Sequence, residues 1–260
     1  MSNPNITNTE FIVRAALKPL ALAAAGRTGA DIERLIREAR QTARRQNRQM
    51  TYDDIMDALT AGQSLMGPEL LWRIAVHESG HALVTILFGI ADIQTVSVGT
   101  GKGGFVDSLP KTGMVENNDW LQKLIVCLLA GRAAEQLIIG DTGIGSGGTS
   151  ASDLARATKL ATDAETSFGL GQHHPLLYRA VNDSSSILSL DKQLASDVHK
   201  RLEKADLIAS ELLSKNKHQL LLLARHLADA KVLDGDEVRQ LLDQLVLDQP
   251  IPGQLVETAT

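Results

Sequence analysis

Apolar residues recur at helical spacing along most of this chain and alternate as in a strand over one short stretch. After a polar segment at residues 1–10, which reads as a flexible tail, FIVRAALKPLALAAAG predicts a helix over 11–26, interrupted near Pro19. In RTGADIERLIREARQTARRQNRQM, Ile32, Leu35, Ile36 and Ala39 form one apolar stripe. Thr28 stands where a cap belongs, with Asp31 three residues on, a capping-box pattern. Arg44, Arg45 and Arg48 fall at the far end, where positive charge suits the helix dipole. Thr51 caps a further short helix, YDDIMDALTAG, so residues 11–62 read as one small helical unit.

Pro68 opens PELLWRIAVHESGHALVTILFGI, which is apolar almost all round and is therefore expected at the centre of the fold. IQTVSVG and GGFVDS read as short strands joined by GTGKGG. That glycine run is a turn and not a phosphate loop, because Val96 stands where the first glycine of G-x-x-x-x-G-K-[ST] would be and Gly103 follows Lys102. Asn117 or Asn118 caps a long helix, DWLQKLIVCLLAGRAAEQLIIG, ended by Gly140. The loop DTGIGSGGTSAS is irregular and leads into a helix, DLARATKLATDAETSFG, which breaks at GLGQHHP. Three more helical patterns run from about Leu190 to Leu247, with turns at Lys215-Asn216 and Leu233-Asp234-Gly235, before a flexible tail over 249–260. The expected fold is mainly α with a small β element, two or three short strands near residues 93–108, in two units, 11–62 and 63–248.

Composition narrows the classes. Aromatics are only 3% of residues while Leu and Ala abound, which favours helices over a β-sandwich. A net charge of -5 leaves no electrostatic footprint for nucleic acid. The single cysteine, Cys127, excludes a disulfide framework and reads as a small buried hydrophobe. No apolar run reaches the ~20 residues that span a bilayer, and no cleavage-site pattern marks a signal peptide.

Chemistry concentrates in AVHESGHALV. His77 and His81 are four apart on a helix, so their side chains share a face about one turn apart. That spacing lets two imidazoles reach one Zn²⁺ at ~2.0–2.1 Å. Glu78 projects beside the pair, where it can take a proton from a water that zinc acidifies. Two histidines are an incomplete site, since hydrolytic zinc takes three protein ligands and a water. No H-E-x-x-H-x-x-G-x-x-H extension supplies the third. Other candidates are His173, His174, His199, His218 and His226, and the carboxylates Glu135 in GRAAEQL and Asp153 in SDLARAT. Asp153 could instead serve the helix dipole, and Glu135 could orient a ligand imidazole. Spacing does not choose between them.

HESGHALV, GRAAEQLIIGD and TSASDLARATKLA, in that order, resemble the protease domain of the FtsH family of ATP-dependent zinc metalloproteases. ASDVHKRLEKADLIASELLSKNKHQLLLLARHL followed by LDGDEVRQLL is similar to that family's C-terminal helices, and TGADIERLIREARQTARRQNRQMTYDDIMDAL resembles the end of its AAA+ lid. The resemblance implies that 11–62 is a lid remnant and 63–248 a zinc metallopeptidase domain with a zincin-like H-E-x-x-H helix. It implies Zn²⁺ held by His77, His81 and Asp153, with Glu78 as general base and Glu135 as a structural or ligand-orienting neighbour. The activity implied is endopeptidase cleavage of unfolded polypeptide, by a homo-oligomer, a hexamer in this family. It places the chain on the cytoplasmic side, with the parent protein anchored in the inner membrane. Walker A, Walker B and membrane helices do not occur in these 260 residues, so membrane contact would come only through segments absent from them. The chain departs from the family pattern at Ser79, where alanine is usual, at Ser152, where asparagine is, and in a longer, more glycine-rich loop before Asp153. Two rival expectations are a catalytically silent scaffold or regulator of the same fold, and a helical adaptor that docks on AAA+ partners through residues 12–62.

Overall fold

A computed structural model of the chain describes residues 27–60, 66–98, 103–179 and 184–247, together with Leu17, Leu20, Ala21, Ala23 and Ala24. Most of the helix expected over 11–26, the tails expected over 1–10 and 249–260, and residues 99–102 of the glycine turn lie outside the described residues.

Helix α1, Gly29–Arg45, starts with the expected capping box. The Thr28 hydroxyl accepts from Asp31 N at 3.2 Å, and the Asp31 carboxylate accepts from Thr28 N at 3.2 Å. Its buried face is Leu35, Ala39 and Ala43, against which α2, Tyr52–Thr60, packs with Leu59. Arg48 is committed to this pair of helices: its two terminal nitrogens each lie 2.6 Å from an Asp54 oxygen.

Helix α3, Pro68–Phe88, is central, as its all-round apolar pattern requires. Val76, Leu83 and Val84 join one hydrophobic core and Ala75 and Ala82 join another, so both sides of the helix are buried. The first core lies between α3 and helices α4, Asn118–Ile138, α5, Asp153–Thr166, and α7, Lys192–Lys215. A short helix α6, Ser184–Leu190, precedes α7 and was not expected from the sequence. The second core packs α3 against helix α8, Lys217–Ala230, and a small sheet. Among the described residues no helix is long and apolar enough to cross a membrane.

The sheet holds three antiparallel strands, β1 Ala91–Val98, β2 Gly104–Pro110 and β3 Val232–Asp234, in the order β2-β1-β3. Two of them match the expected element near 93–108. The third corrects the reading of Leu233-Asp234-Gly235 as a turn: Leu233 pairs with Val96 and is buried. Asp234 then caps the last helix, α9 Gly235–Leu247, by accepting from Glu237 N at 2.9 Å while Glu237 accepts from Asp234 N at 2.8 Å. A three-residue strand is too short to show alternation, and Asp-Gly carries a turn signature of its own. The fold is thus mainly α with one small antiparallel sheet, in which β2 is an edge strand.

Candidate metal centre

The helix spacing places His77 and His81 as the sequence predicts, with ring centroids 4.7 Å apart and planes at 72°. Their outer nitrogens are already engaged. His77 Nδ1 lies 2.7 Å from Glu135 Oε1, and His81 Nδ1 lies 2.7 Å from the carbonyl oxygen of Cys127. Both partners accept, so each neutral ring donates from Nδ1 and carries a lone pair on Nε2. The two Nε2 atoms are only 3.0 Å apart. Asp153 Oδ2 completes a triangle at 3.4 Å from His77 Nε2 and 3.3 Å from His81 Nε2.

Three acceptors facing one another across ~3 Å repel unless a cation or a proton stands between them. Bonds of ~2.0–2.1 Å at tetrahedral angles separate zinc ligands by about 3.3–3.4 Å, the spacing of Asp153 Oδ2 from each histidine nitrogen, with the two histidines somewhat closer, so this donor set fits zinc. Among the described residues it is the one group of three His, Cys, Asp or Glu side chains that could hold a metal ion. Burial opposes charging His77, but Asp153 and Glu135 outweigh it and raise its pKa to about 9.

Two elements supply the three side chains, α3 both histidines and α5 Asp153. Asp153 is the first residue of α5, and the Ser152 hydroxyl caps that helix by accepting from Ala155 N at 3.4 Å. The longer glycine loop therefore does bring Asp153 to the histidines. Glu135, 3% exposed, accepts from His77 through Oε1; its Oε2 accepts from Arg73 Nη1 at 2.8 Å and from Gly143 N at 2.7 Å. Burial works against its charge, yet His77, the Gly143 amide and Arg73 lower its pKa to about 2. Glu135 is thus an acceptor that fixes the His77 tautomer, not a member of the metal triangle. Glu78 is buried beside the histidines, and that burial raises its pKa, opposed by His81 and His77.

Several contributors escaped sequence reasoning. A β-carbon on Gly131 would stand 2.5 Å from both His77 Nε2 and His81 Nε2. One on Gly80 would stand 2.6 Å from the Ala130 carbonyl oxygen, so α3 and α4 cross through a glycine on each side. Gly104, at the start of β2, is equally close to Glu78, at 2.5 Å from Cγ. Mid-helix glycine is the one available signal, because it lowers helix stability and so implies a packing or functional reason.

The other histidines do not join the centre. His173 Nε2 lies 3.3 Å from Asp197 Oδ2 at a separate cavity of about 330 Å³, which His174 also lines. His199 pairs with Glu203 at 3.3 Å, and His218 and His226 are exposed on α8. The metal triangle instead opens into a cleft of about 1440 Å³. One wall is β2, through Gly104, Phe105, Val106 and Ser108; Glu78 and the loop residue Ile144 also line it.

The model of peptidase family M41 matches residues 64–241. The chain is 32% identical to "ATP-dependent zinc metalloprotease FtsH 2" of Symbiobacterium thermophilum, over 92% of this chain and 45% of that protein. It is 31% identical to "ATP-dependent zinc metalloprotease FtsH" of Caldicellulosiruptor bescii, over 87% of this chain and 40% of that protein. The protein of the same name from Bacillus subtilis is 27% identical over 90% of the chain and 40% of its own length. The chain spans less than half the length of these relatives.

Proposed function

The chain belongs to peptidase family M41, and from that premise we propose that it is a zinc-dependent endopeptidase, the protease part of an FtsH-like ATP-dependent enzyme. The convergence of His77 Nε2, His81 Nε2 and Asp153 Oδ2 beside a buried Glu78 carries this reading. His77, His81 and Asp153 hold the metal. Bound there, Zn²⁺ supplies Lewis-acid chemistry, polarising a carbonyl and lowering the pKa of a water toward ~7.

Glu78 is the general base. It takes a proton from the attacking water and returns it to the departing amine as the C–N bond breaks. Burial suits it to this exchange, because a raised pKa brings a carboxylate closer to neutral pH. Glu135 holds His77 in one tautomer, and the Cys127 carbonyl does the same for His81.

The substrate is an extended, unfolded polypeptide. Among the described residues strand β2 has an unpaired edge, and it lines the cleft, so a peptide can add to it by main-chain hydrogen bonding, which makes few demands on sequence. Residues 11–62 are the end of an AAA+ lid; the capped pair α1–α2 is consistent with a self-contained helical unit. The working assembly is a homo-oligomeric ring, a hexamer, on the cytoplasmic side of a membrane, with the membrane contact made by other segments. A silent scaffold or an adaptor with merely packed histidines leaves the three converging acceptors without a purpose.

The test is metal analysis with a cleavage assay on β-casein. One zinc per chain is expected, with cleavage stopped by a chelator and restored by zinc. A metal-free chain that cleaves casein equally well excludes the proposal.

A further inference from the structure

Arg73 stands one helical turn before His77, on the same face of α3. Its two terminal nitrogens serve two different carboxylates. Nη1 lies 2.8 Å from Glu135 Oε2 on α4, and Nη2 lies 2.7 Å from Asp141 Oδ1, where the chain leaves that helix. The Gly143 amide adds a third tie, donating to Glu135 Oε2 at 2.7 Å. The same Glu135 aims His77 through its other oxygen. The segment anchored at Asp141 and Gly143 is the loop that ends at Asp153.

We propose that Arg73 is a positioning residue that fastens the start of the Asp153 loop to the carboxylate that aims His77, so that two metal ligands from distant segments are set by one cation. This rests on the zinc-peptidase reading above. The loop needs such a fastening. Gly143, Gly145, Gly147 and Gly148 give it more backbone freedom to lose than any other composition would. Most of it is exposed, Ile144 at 96%, and Ser146 is its one buried residue, so packing contributes little along it. The fit at the anchor is close: a β-carbon on Gly143 would stand 3.2 Å from Glu135 Oε2 and 3.3 Å from Arg73 Cδ. Only a planar guanidinium forks between two carboxylates in this way; a lysine ammonium reaches as a point charge and serves one well.

Three variants test the proposal by zinc titration and by amide hydrogen exchange over residues 141–152. In Arg73→Gln the zinc dissociation constant rises about 10–100-fold, the range for lost ligand-orienting partners, and the loop amides exchange faster even without metal. Asp141 is exposed, so Asp141→Asn folds; it speeds loop exchange and weakens zinc less than Arg73→Gln. Arg73→Lys restores part of the zinc affinity but leaves the loop amides fast. Wild-type loop exchange in both Asp141→Asn and Arg73→Lys overturns the proposal, as does a loosened loop with wild-type zinc affinity in Arg73→Gln. Should the wild type bind no zinc, the peptidase reading fails first, and the anchor is judged on metal-free exchange alone.

Discussion

The Nε2 atoms of His77 and His81 stand 3.0 Å apart with both outer nitrogens spent on other acceptors. Zinc binding to the folded chain alone then stabilises it by mass action, about 2.7 kcal/mol at a hundredfold excess over the dissociation constant. For a domain of this size that is roughly 5–10 °C in melting temperature. Differential scanning calorimetry with and without zinc should show the shift in the wild type and none in His81→Ala.

Gly131→Ala separates metal binding from folding. The new methyl would stand 2.5 Å from both His77 Nε2 and His81 Nε2, so the imidazoles must swing away. Overpacking costs about 1–3 kcal/mol, offset in part by the ~1 kcal/mol that alanine gains over glycine in a helix. The expected variant is folded and binds zinc at least about tenfold more weakly. Wild-type affinity by isothermal titration would show that the close approach of the α4 backbone is not needed.

Gly104→Ala makes the complementary change. Its methyl would meet Glu78 at Cγ and Oε1 and Ile74 at Cγ2, and no atom of the metal triangle is among its three nearest neighbours. Zinc content should remain at one per chain while kcat falls about 10²-fold, the lower range for loss of general-base catalysis. Equal kcat in the two proteins would place the base elsewhere.

Ser79 is fully buried and its hydroxyl has no partner among the described residues. A buried unsatisfied hydroxyl costs about 1–3 kcal/mol, and serine is a poorer helix former than alanine. Ser79→Ala should raise stability by about 1 kcal/mol with unchanged cleavage, read from urea unfolding of the metal-free chain. A destabilised variant would mean that the hydroxyl is satisfied by water.

The cleft wall yields a prediction about binding. Proline at 105, 106 or 107 removes a backbone donor from the edge strand. A peptide that pairs there should then show a raised KM with unaltered zinc content. Unchanged KM at all three positions rules out strand addition on β2.

Much of this was legible in the sequence, and the failures are physically specific. The i,i+4 spacing located His77 and His81, and the capping pattern at Thr28 and Asp31 located the start of α1. The partner that closes the site, Asp153, was not selected by spacing, because a helix-start aspartate has an electrostatic role of its own. Family resemblance pointed to it, and the structure brings its Oδ2 within 3.4 Å of both histidines. Arg73 went unread, although a lone cation in an apolar helix implies a partner. Gly131 carries no signal in the sequence beyond being a mid-helix glycine, because its reason lies on another helix. Strand β3 was hidden by its length and by the Asp-Gly that follows Leu233.

The most direct test of the account is zinc content together with β-casein cleavage in wild type, Glu78→Gln and Asp153→Asn. The wild type should carry one zinc and cleave casein. Glu78→Gln should keep the zinc and lose cleavage by about 10²–10⁴-fold, and Asp153→Asn should lose both. Full cleavage by zinc-loaded Glu78→Gln, or unchanged zinc affinity in Asp153→Asn, would contradict it.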